Sequence, residues 1–210
     1  MAPRKIIHAP PASNKHEWLP LVLPVAVLAV VFAAALGRYM AAYRLYGDDY
    51  SLVLNSTAIG LQGMVRWFTE GYTYYFWNCP DWEGAAFHYV RPLANLTFLA
   101  FGSFAGYVGD VAYLVPSYII PLASVALFSL ALQQYTNLPP LQAAVAAIAF
   151  GLSSIWHASL WQPSFVTNTL ATLFALTALI ALNPRKGIPQ GWRLAACIGS
   201  MVAAILSHET

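Results

Sequence analysis

The sequence predicts an all-α, polytopic membrane protein with about five transmembrane helices and two interfacial helices. Hydrophobic residues make up 59% of the chain and charged residues 9%, and the mean hydropathy is +0.59. An ordinary soluble domain carries roughly 25% charged residues. Apolar runs with few or no charges, close to the length needed to cross a bilayer, recur along the chain. The net charge of +2 is small and its basic residues are scattered, so nucleic acid is not an expected partner, whereas membrane lipids are.

A polar tail at residues 1–17 precedes a predicted transmembrane domain at 18–210. Pro116 and Pro121 lie inside the second predicted span, which predicts a kink or a break there. The short connection 157–163 predicts a tight helical hairpin between the third and fourth spans. The five predicted spans are 19–37, 111–133, 141–157, 164–182 and 194–207.

The distribution of basic residues predicts a cytoplasmic N-terminus in a cell (inner) membrane. This orientation leaves six Lys or Arg residues inside and four outside, in the sense of the positive-inside rule. Three places then share the outer face: a long loop at 38–110, the turn at 157–163, and Ser207–Thr210. The inside residues are Arg4, Lys5, Lys15, Arg185, Lys186 and Arg193.

The long outer loop is predicted to contain two helices that lie in the membrane interface. Leu54, Ala58, Leu61, Val65 and Phe68 recur at helical spacing, opposite a polar face. A second helix is predicted to begin at Pro92, since proline is favoured in a first helical turn, and to present Leu93, Leu96 and Ala100.

The adjacent carboxylates of Asp48 and Asp49, just past the first span, are the first candidates for chemistry. One such carboxylate can accept a proton from a hydroxyl nucleophile, and two can share a divalent metal. The alternative is an inert, solvated turn after the helix, which the dipeptide alone favours.

Two further groups on the predicted outer face are candidates for binding. His88, Tyr89 and Arg91 precede Pro92, and a guanidinium at a helix start suits a phosphate. His208 and Glu209 end the fifth span, where a carboxylate at the edge of an apolar helix is costly. The alternatives are an arginine extending to lipid headgroups and a helix end that reaches water. His157, in the outer turn, is a weaker candidate.

The order of these features resembles the amino-terminal half of GT-C glycosyltransferases, in particular the branch that uses polyprenyl-phosphate sugars and includes O-mannosyltransferases. The matching strings are Gly47-Asp48-Asp49-Tyr50, Tyr89-Val90-Arg91-Pro92-Leu93, Trp156-His157 and Ser207-His208-Glu209. The second is one residue longer than the family's usual string. The likeness covers residues 18–210, but the family usually has about ten or more spans.

The resemblance implies inverting transfer of a sugar from a polyprenyl-phosphate carrier to an acceptor hydroxyl outside the cytoplasm. Asp48 would be the general base, and Asp49 would hold a divalent metal or the acceptor. Arg91 would bind the lipid phosphate, while His208 and Glu209 would line the same cavity. Since five spans are half the usual number, the alternative is a non-catalytic subunit of a larger membrane complex that is derived from this fold.

Overall fold

The computed structural model describes residues 18–36, 92–153, 156, 160, 162–183 and 188–207. Throughout these residues the regular structure is helical, without a strand, as the sequence predicts. Short 3-10 helices at Gly109–Leu114 and Pro163–Phe165 precede two of the α-helices. The α-helices are α1 (Leu19–Leu36), α2 (Pro92–Val108), α3 (Val115–Tyr135), α4 (Pro140–Gly151), α5 (Val166–Leu182) and α6 (Gln190–Ser207).

The helix Gly109–Tyr135, formed by the first 3-10 helix and α3, is the one helix of the described residues that is both long and apolar enough to cross a membrane. Its 27 residues exceed the roughly 20 that a bilayer requires. Gly109 joins it to α2 with φ of +70°, a left-handed conformation that glycine adopts without steric cost. The α-helical part begins beside Pro116 and continues through Pro121.

The helix α3 lies at the centre of the described fold, and α1, α4 and α5 each pack on it. The helix α1 runs antiparallel to α3: the Ser129 hydroxyl donates a hydrogen bond to the Pro20 carbonyl, and the rings of Phe32 and Tyr118 meet edge to face at 6.3 Å. The helix α5 runs parallel to α3, since the Tyr135 hydroxyl donates to a carbonyl near the end of α5.

These directions define two ends of the bundle. The Pro20 end contains the start of α1, the end of α3 and the connection from α5 to α6. The Tyr113 end contains the end of α1 and the starts of α3 and α5. There Tyr113 joins residues of α2, α3 and α5 in one apolar cluster, which consists of Ala94, Phe98, Tyr113, Ile120, Val166 and Leu170.

The third predicted span is shorter than the sequence predicts, because its regular helix ends at Gly151 rather than near residue 157. Twelve residues rise only about 18 Å, little more than half of a hydrocarbon core. A β-carbon at Gly151 would overlap a δ-methyl of Leu28 and lie 2.9 Å from Cγ2 of Val125. The helix α4 therefore ends against the middle of α1 and α3.

The predicted tight hairpin between the third and fourth spans is wrong. The helix α4 packs on α1 and α3, whereas α5 packs on α3 and α6, so that α3 lies between α4 and α5. Between α4 and α5 in the chain, the described Leu160 accepts a hydrogen bond through its carbonyl from the Tyr118 hydroxyl of α3 at 2.7 Å.

The face of α6 that meets the protein carries small and polar residues, although Gln190, Gly191, Ala195, Ala196 and Gly199 are exposed. Cys197 and Ser207 are buried on the face toward its neighbours, and Arg193 and Ser200 are partly buried there. Its bulky apolar residues are instead exposed: Trp192, Leu194, Ile198, Met201, Val202 and Ile205. This is the reverse of the pattern in a water-soluble helix, which buries its bulky apolar face.

The remaining predicted helices coincide with observed ones at slightly different bounds. The first and fourth spans correspond to α1 and α5, and the fifth begins four residues earlier than predicted, at Gln190. A helix begins at Pro92, as the sequence predicts, but the residues that it buries are Pro92, Ala94, Asn95 and Phe98. Leu96, on the predicted apolar face, is 38% exposed and does not join the core.

Candidate functional site near the Tyr113 end

The side chains that the sequence singles out for chemistry all lie outside the described residues, and so does the predicted interfacial helix at 54–68. Described residues directly adjoin three of the sequence strings: Pro92 follows Arg91, Trp156 precedes His157, and Ser207 precedes His208. The predicted site residues are Asp48, Asp49, His88, Tyr89, Arg91, His157, His208 and Glu209.

The first turns of α2 are held by the Tyr113-end cluster. Pro92 is buried, and two residues later Ala94 is completely buried in that cluster. The ring of Phe98 packs against that of Tyr113 with 6.5 Å between the ring centroids. The residue that follows Arg91 in the chain is therefore fixed by core packing rather than exposed on the surface.

The end of α6 lies on the same side of the bundle. The helices α5 and α6 pack against each other and are joined by the connection 183–189, so they run antiparallel and α6 ends near the start of α5. Ser207 is completely buried, and its hydroxyl donates to the Ala203 carbonyl at 2.7 Å. The helix α6 also contacts α2, whose first residue is Pro92.

Trp156 lies deeper than the turn that the sequence predicts. Its indole ring is 1% exposed and packs edge to face on Phe150, with 5.3 Å between centroids. Phe150 in turn stacks on Phe128 of α3 at 4.4 Å. Four residues further along, the backbone of Leu160 is held by Tyr118. Both described residues that flank His157 are thus fixed between the middle of the bundle and the Tyr113 end.

The helix α1 completes this arrangement. Its inward residues follow steps of four, namely Pro20, Pro24, Leu28 and Phe32, all of them buried. Phe32 contacts Tyr118, so Leu36, the last residue of α1, lies beyond Tyr118 toward the Tyr113 end. The chain leaves α1 toward Asp48 from this end of the bundle.

Formal charge is scarce in the described part of the chain, which contains one acidic residue, Asp110, and one basic residue, Arg193. Asp110 lies in the 3-10 helix at the Tyr113 end, and Arg193 lies in the first turn of α6 at the Pro20 end. No group of three or more His, Cys, Asp or Glu side chains with the spacing of a metal site occurs among the described residues.

Sequence reasoning did not identify Tyr118 and Phe150 as residues that support this region. Both lie within apolar runs, where an aromatic side chain gives no sign of its partner in advance. The serines of α3 could have been identified, because Pro24 removes the N–H that would bond the Pro20 carbonyl and so requires a hydroxyl donor from elsewhere.

Comparison of the chain with protein-family models, with curated proteins and with solved structures found no match. The arrangement at the Tyr113 end is thus the structural observation on which a function can be argued.

Proposed function

We propose that the chain is a polytopic membrane protein, and that it is all or the amino-terminal part of a glycosyltransferase. Its site would lie at the Tyr113 end and would move a sugar from a polyprenyl-phosphate carrier to an acceptor hydroxyl on the non-cytoplasmic side.

The reversed polarity of α6 supports the membrane location. A helix whose bulky apolar residues are exposed while Cys197 and Ser207 are buried is favourable in hydrocarbon and unfavourable in water. The buried residues of α3 support it too, since Ser117, Ser124 and Ser129 are completely buried along its interfaces. Small residues at helix contacts are typical of membrane bundles, where they let helices approach closely.

The convergence of chain segments near the Tyr113 end is the observation that carries the proposed activity. Leu36, Pro92 and Ser207, on three different helices, lie at this end, and Trp156 lies between it and the middle of the bundle. Pro92, Trp156 and Ser207 directly adjoin three of the strings that resemble the glycosyltransferase motifs, and Leu36 precedes the fourth string in the chain. A shared site would require the Asp, Arg, His and Glu side chains of these strings to lie together.

The proposed transfer needs a base and a cationic group on the non-cytoplasmic side. A carboxylate at Asp48 would accept the proton of the acceptor hydroxyl while the hydroxyl oxygen attacks the anomeric carbon. The bond from that carbon to the phosphate oxygen would break, and the guanidinium of Arg91 would stabilise the charge on the departing lipid phosphate. Glu209 and His208 would line the same cavity.

The test uses membranes that contain the full chain and a radiolabelled polyprenyl-phosphate mannose as donor. Asp48→Asn should lower transfer to the acceptor at least ~100-fold, the usual scale of general-base catalysis, while cross-linking of a photoactivatable polyprenyl phosphate persists. Arg91→Gln should weaken that cross-linking. Glu83→Gln, a change at another acidic residue of the predicted outer loop, is the matched control and should leave both signals unchanged.

Transfer that persists in Asp48→Asn would overturn the assignment of the base. Absence of cross-linking in the unaltered chain would overturn the lipid-phosphate donor and favour the non-catalytic subunit instead.

A further inference from the structure

The exposed aromatic side chains of the described residues lie at one end of the bundle. Among the large apolar side chains that these residues expose, the aromatic ones are Trp18, Tyr135 and Trp192, and all the others are aliphatic or methionine. Trp18 precedes α1, Tyr135 ends α3, and Trp192 lies in the first turn of α6, so all three belong to the Pro20 end. Tryptophan and tyrosine are typical of the boundary between hydrocarbon and lipid headgroups, because each has an apolar ring and a polar group.

Trp18 and Tyr135 lie at similar levels along the bundle axis. The hydrogen bond from the Ser129 hydroxyl to the Pro20 carbonyl fixes the level of α1 relative to α3. Trp18 lies about 3 Å beyond Pro20 along its helix, and Tyr135 lies about 9 Å beyond Ser129 in the same direction. The difference of about 6 Å is comparable with the depth of the headgroup region on one side of a bilayer.

The start of α6 lies close to the same level. The Asn183 side chain, directly after α5, donates to the side chain of Gln134, the residue before Tyr135, at 3.3 Å. The connection 183–189 then leads into α6, where the Trp192 amide bonds the Pro189 carbonyl at 3.1 Å. Since α6 packs back along α5 from this point, Trp192 lies near the level of Tyr135.

The three aromatic residues are distributed around the bundle and do not form one patch. The helix α1 packs on α3 and α4, whereas α6 packs on α5 and α2, so Trp18 and Trp192 lie on different sides of the bundle. A single protein partner would cover one patch, whereas the boundary of a bilayer meets a helical bundle on every side. The distribution therefore favours lipid.

The thickness of a bilayer fits the described bundle when it is measured from Tyr135. A hydrocarbon core of about 30 Å corresponds to about 20 helical residues, which from Tyr135 reach Val115 at the start of α3. Asp110 lies beyond Val115, and Arg193 lies next to Trp192. The two formal charges of the described residues thus lie near the two ends of this distance, where headgroups and water are within reach.

We propose that the Pro20 end is a membrane-interface surface, at which Trp18, Tyr135 and Trp192 contact the lipid headgroup region, and that the second headgroup region lies at the level of Val115. This arrangement places the Tyr113 end at the second headgroup region, which is the level of the phosphate in a lipid-linked donor. The inference rests on the membrane location in the proposed function and is independent of sugar transfer.

The test incorporates fluorotryptophan into the full chain, reconstituted in phosphatidylcholine vesicles, and measures how spin-labelled phosphatidylcholine broadens each fluorine signal. Trp18→Phe and Trp192→Phe identify the two signals, since each removes one of them. A spin label on the headgroup should broaden both signals several-fold more than a spin label near the end of an acyl chain, because paramagnetic broadening falls steeply with distance.

Tryptophans introduced on the exposed side of α1 provide the matched controls. Val27 and Ala35 are exposed, and they lie about 14 Å and 26 Å along the helix from Trp18. The added signal of Val27→Trp should respond more to the acyl-chain label. That of Ala35→Trp should again respond more to the headgroup label, because it is near the second headgroup region.

Stronger broadening of the Trp18 or Trp192 signal by the acyl-chain label would overturn the proposal, and so would a steady change along α1 from Trp18 to Ala35→Trp. A Trp192 signal that responds neither to the two lipid labels nor to a water-soluble paramagnetic reagent would overturn it in favour of a protein partner. Carbonate extraction of the same membranes distinguishes these outcomes from failure of the membrane location itself, which would release the chain into the soluble fraction.

Discussion

Two side-chain hydroxyls of α3, on Ser129 and Tyr118, bond backbone carbonyls of other segments of the chain. Pro24 has no N–H, so the carbonyl of Pro20 has no helical partner, and the hydroxyl of Ser129 on α3 supplies one. The Tyr118 hydroxyl donates to the Leu160 carbonyl at 2.7 Å. In hydrocarbon an unsatisfied carbonyl costs several kcal/mol, so such bonds hold helices together where burial of apolar surface gives little driving force.

Ser129→Ala should therefore lower the free energy of unfolding by about 1–3 kcal/mol, because it leaves the Pro20 carbonyl buried without a donor. Ser124→Ala is the matched control: Ser124 is equally buried, but its hydroxyl bonds the Ile120 carbonyl of its own helix, which the Ser124 amide can satisfy. Thermal unfolding in detergent measures both.

The same Ser129→Ala change should also be made in a Pro24→Ala background, because Pro24→Ala restores the N–H for the Pro20 carbonyl. Loss of the Ser129 hydroxyl should then cost much less in the Pro24→Ala background than in the native one. Equal costs in both backgrounds would show that the Ser129 hydroxyl does not compensate for Pro24.

Among the elements, α4 is the shortest of the described α-helices. It ends at Gly151, where the absence of a side chain lets it meet Leu28 of α1 and Val125 of α3 at close range. Directly after this end Leu152 is 56% exposed, whereas Trp156 and Leu160 further along the chain are buried.

Gly151→Ala should destabilise the fold by about 1–3 kcal/mol, although alanine is the better helix former, because its β-carbon overlaps Leu28. Gly199→Ala is the matched control, since nothing lies within 4 Å of a β-carbon there, and it should be neutral or stabilising by up to ~1 kcal/mol. The two unfolding temperatures, measured in one detergent, decide the matter. A Gly151→Ala protein at least as stable as the native chain would contradict the close approach of α4.

For the whole molecule, the exposed bulky apolar residues of α6 predict how membrane insertion responds to an introduced arginine. Ile198, near the middle of α6, is 53% exposed, and Ile188, just before α6 at the Pro20 end, is 47% exposed. In water the two positions would tolerate arginine equally well. In a membrane the first faces hydrocarbon and the second lies near the headgroups.

Ile198→Arg should impair membrane insertion, since a central arginine costs ~2.5–3.5 kcal/mol on insertion scales, whereas Ile188→Arg should insert normally. The fraction of chain that remains in the membrane pellet after alkaline carbonate extraction is the measurement. Equal pellet fractions for the two variants, or a native chain found in the soluble fraction, would contradict the membrane location.

The sequence by itself determined the helical class and the approximate position of the helices. The charge-poor apolar runs matched α1, α3, α5 and α6 to within a few residues, and Pro92 marked the start of α2, because hydropathy and proline chemistry act locally along the chain. The sequence also contains polar strings next to the ends of predicted helices. The eight predicted site residues remain predictions, since they lie outside the described residues.

Only the tertiary structure decided where α4 stops and which helices are neighbours. The end at Gly151 depends on Leu28 and Val125, which are distant in the chain. An apolar run does not reveal which of its faces meets other helices, because all of its faces are apolar. The short connection 157–163 predicted a hairpin of adjacent spans, while packing placed α3 between α4 and α5.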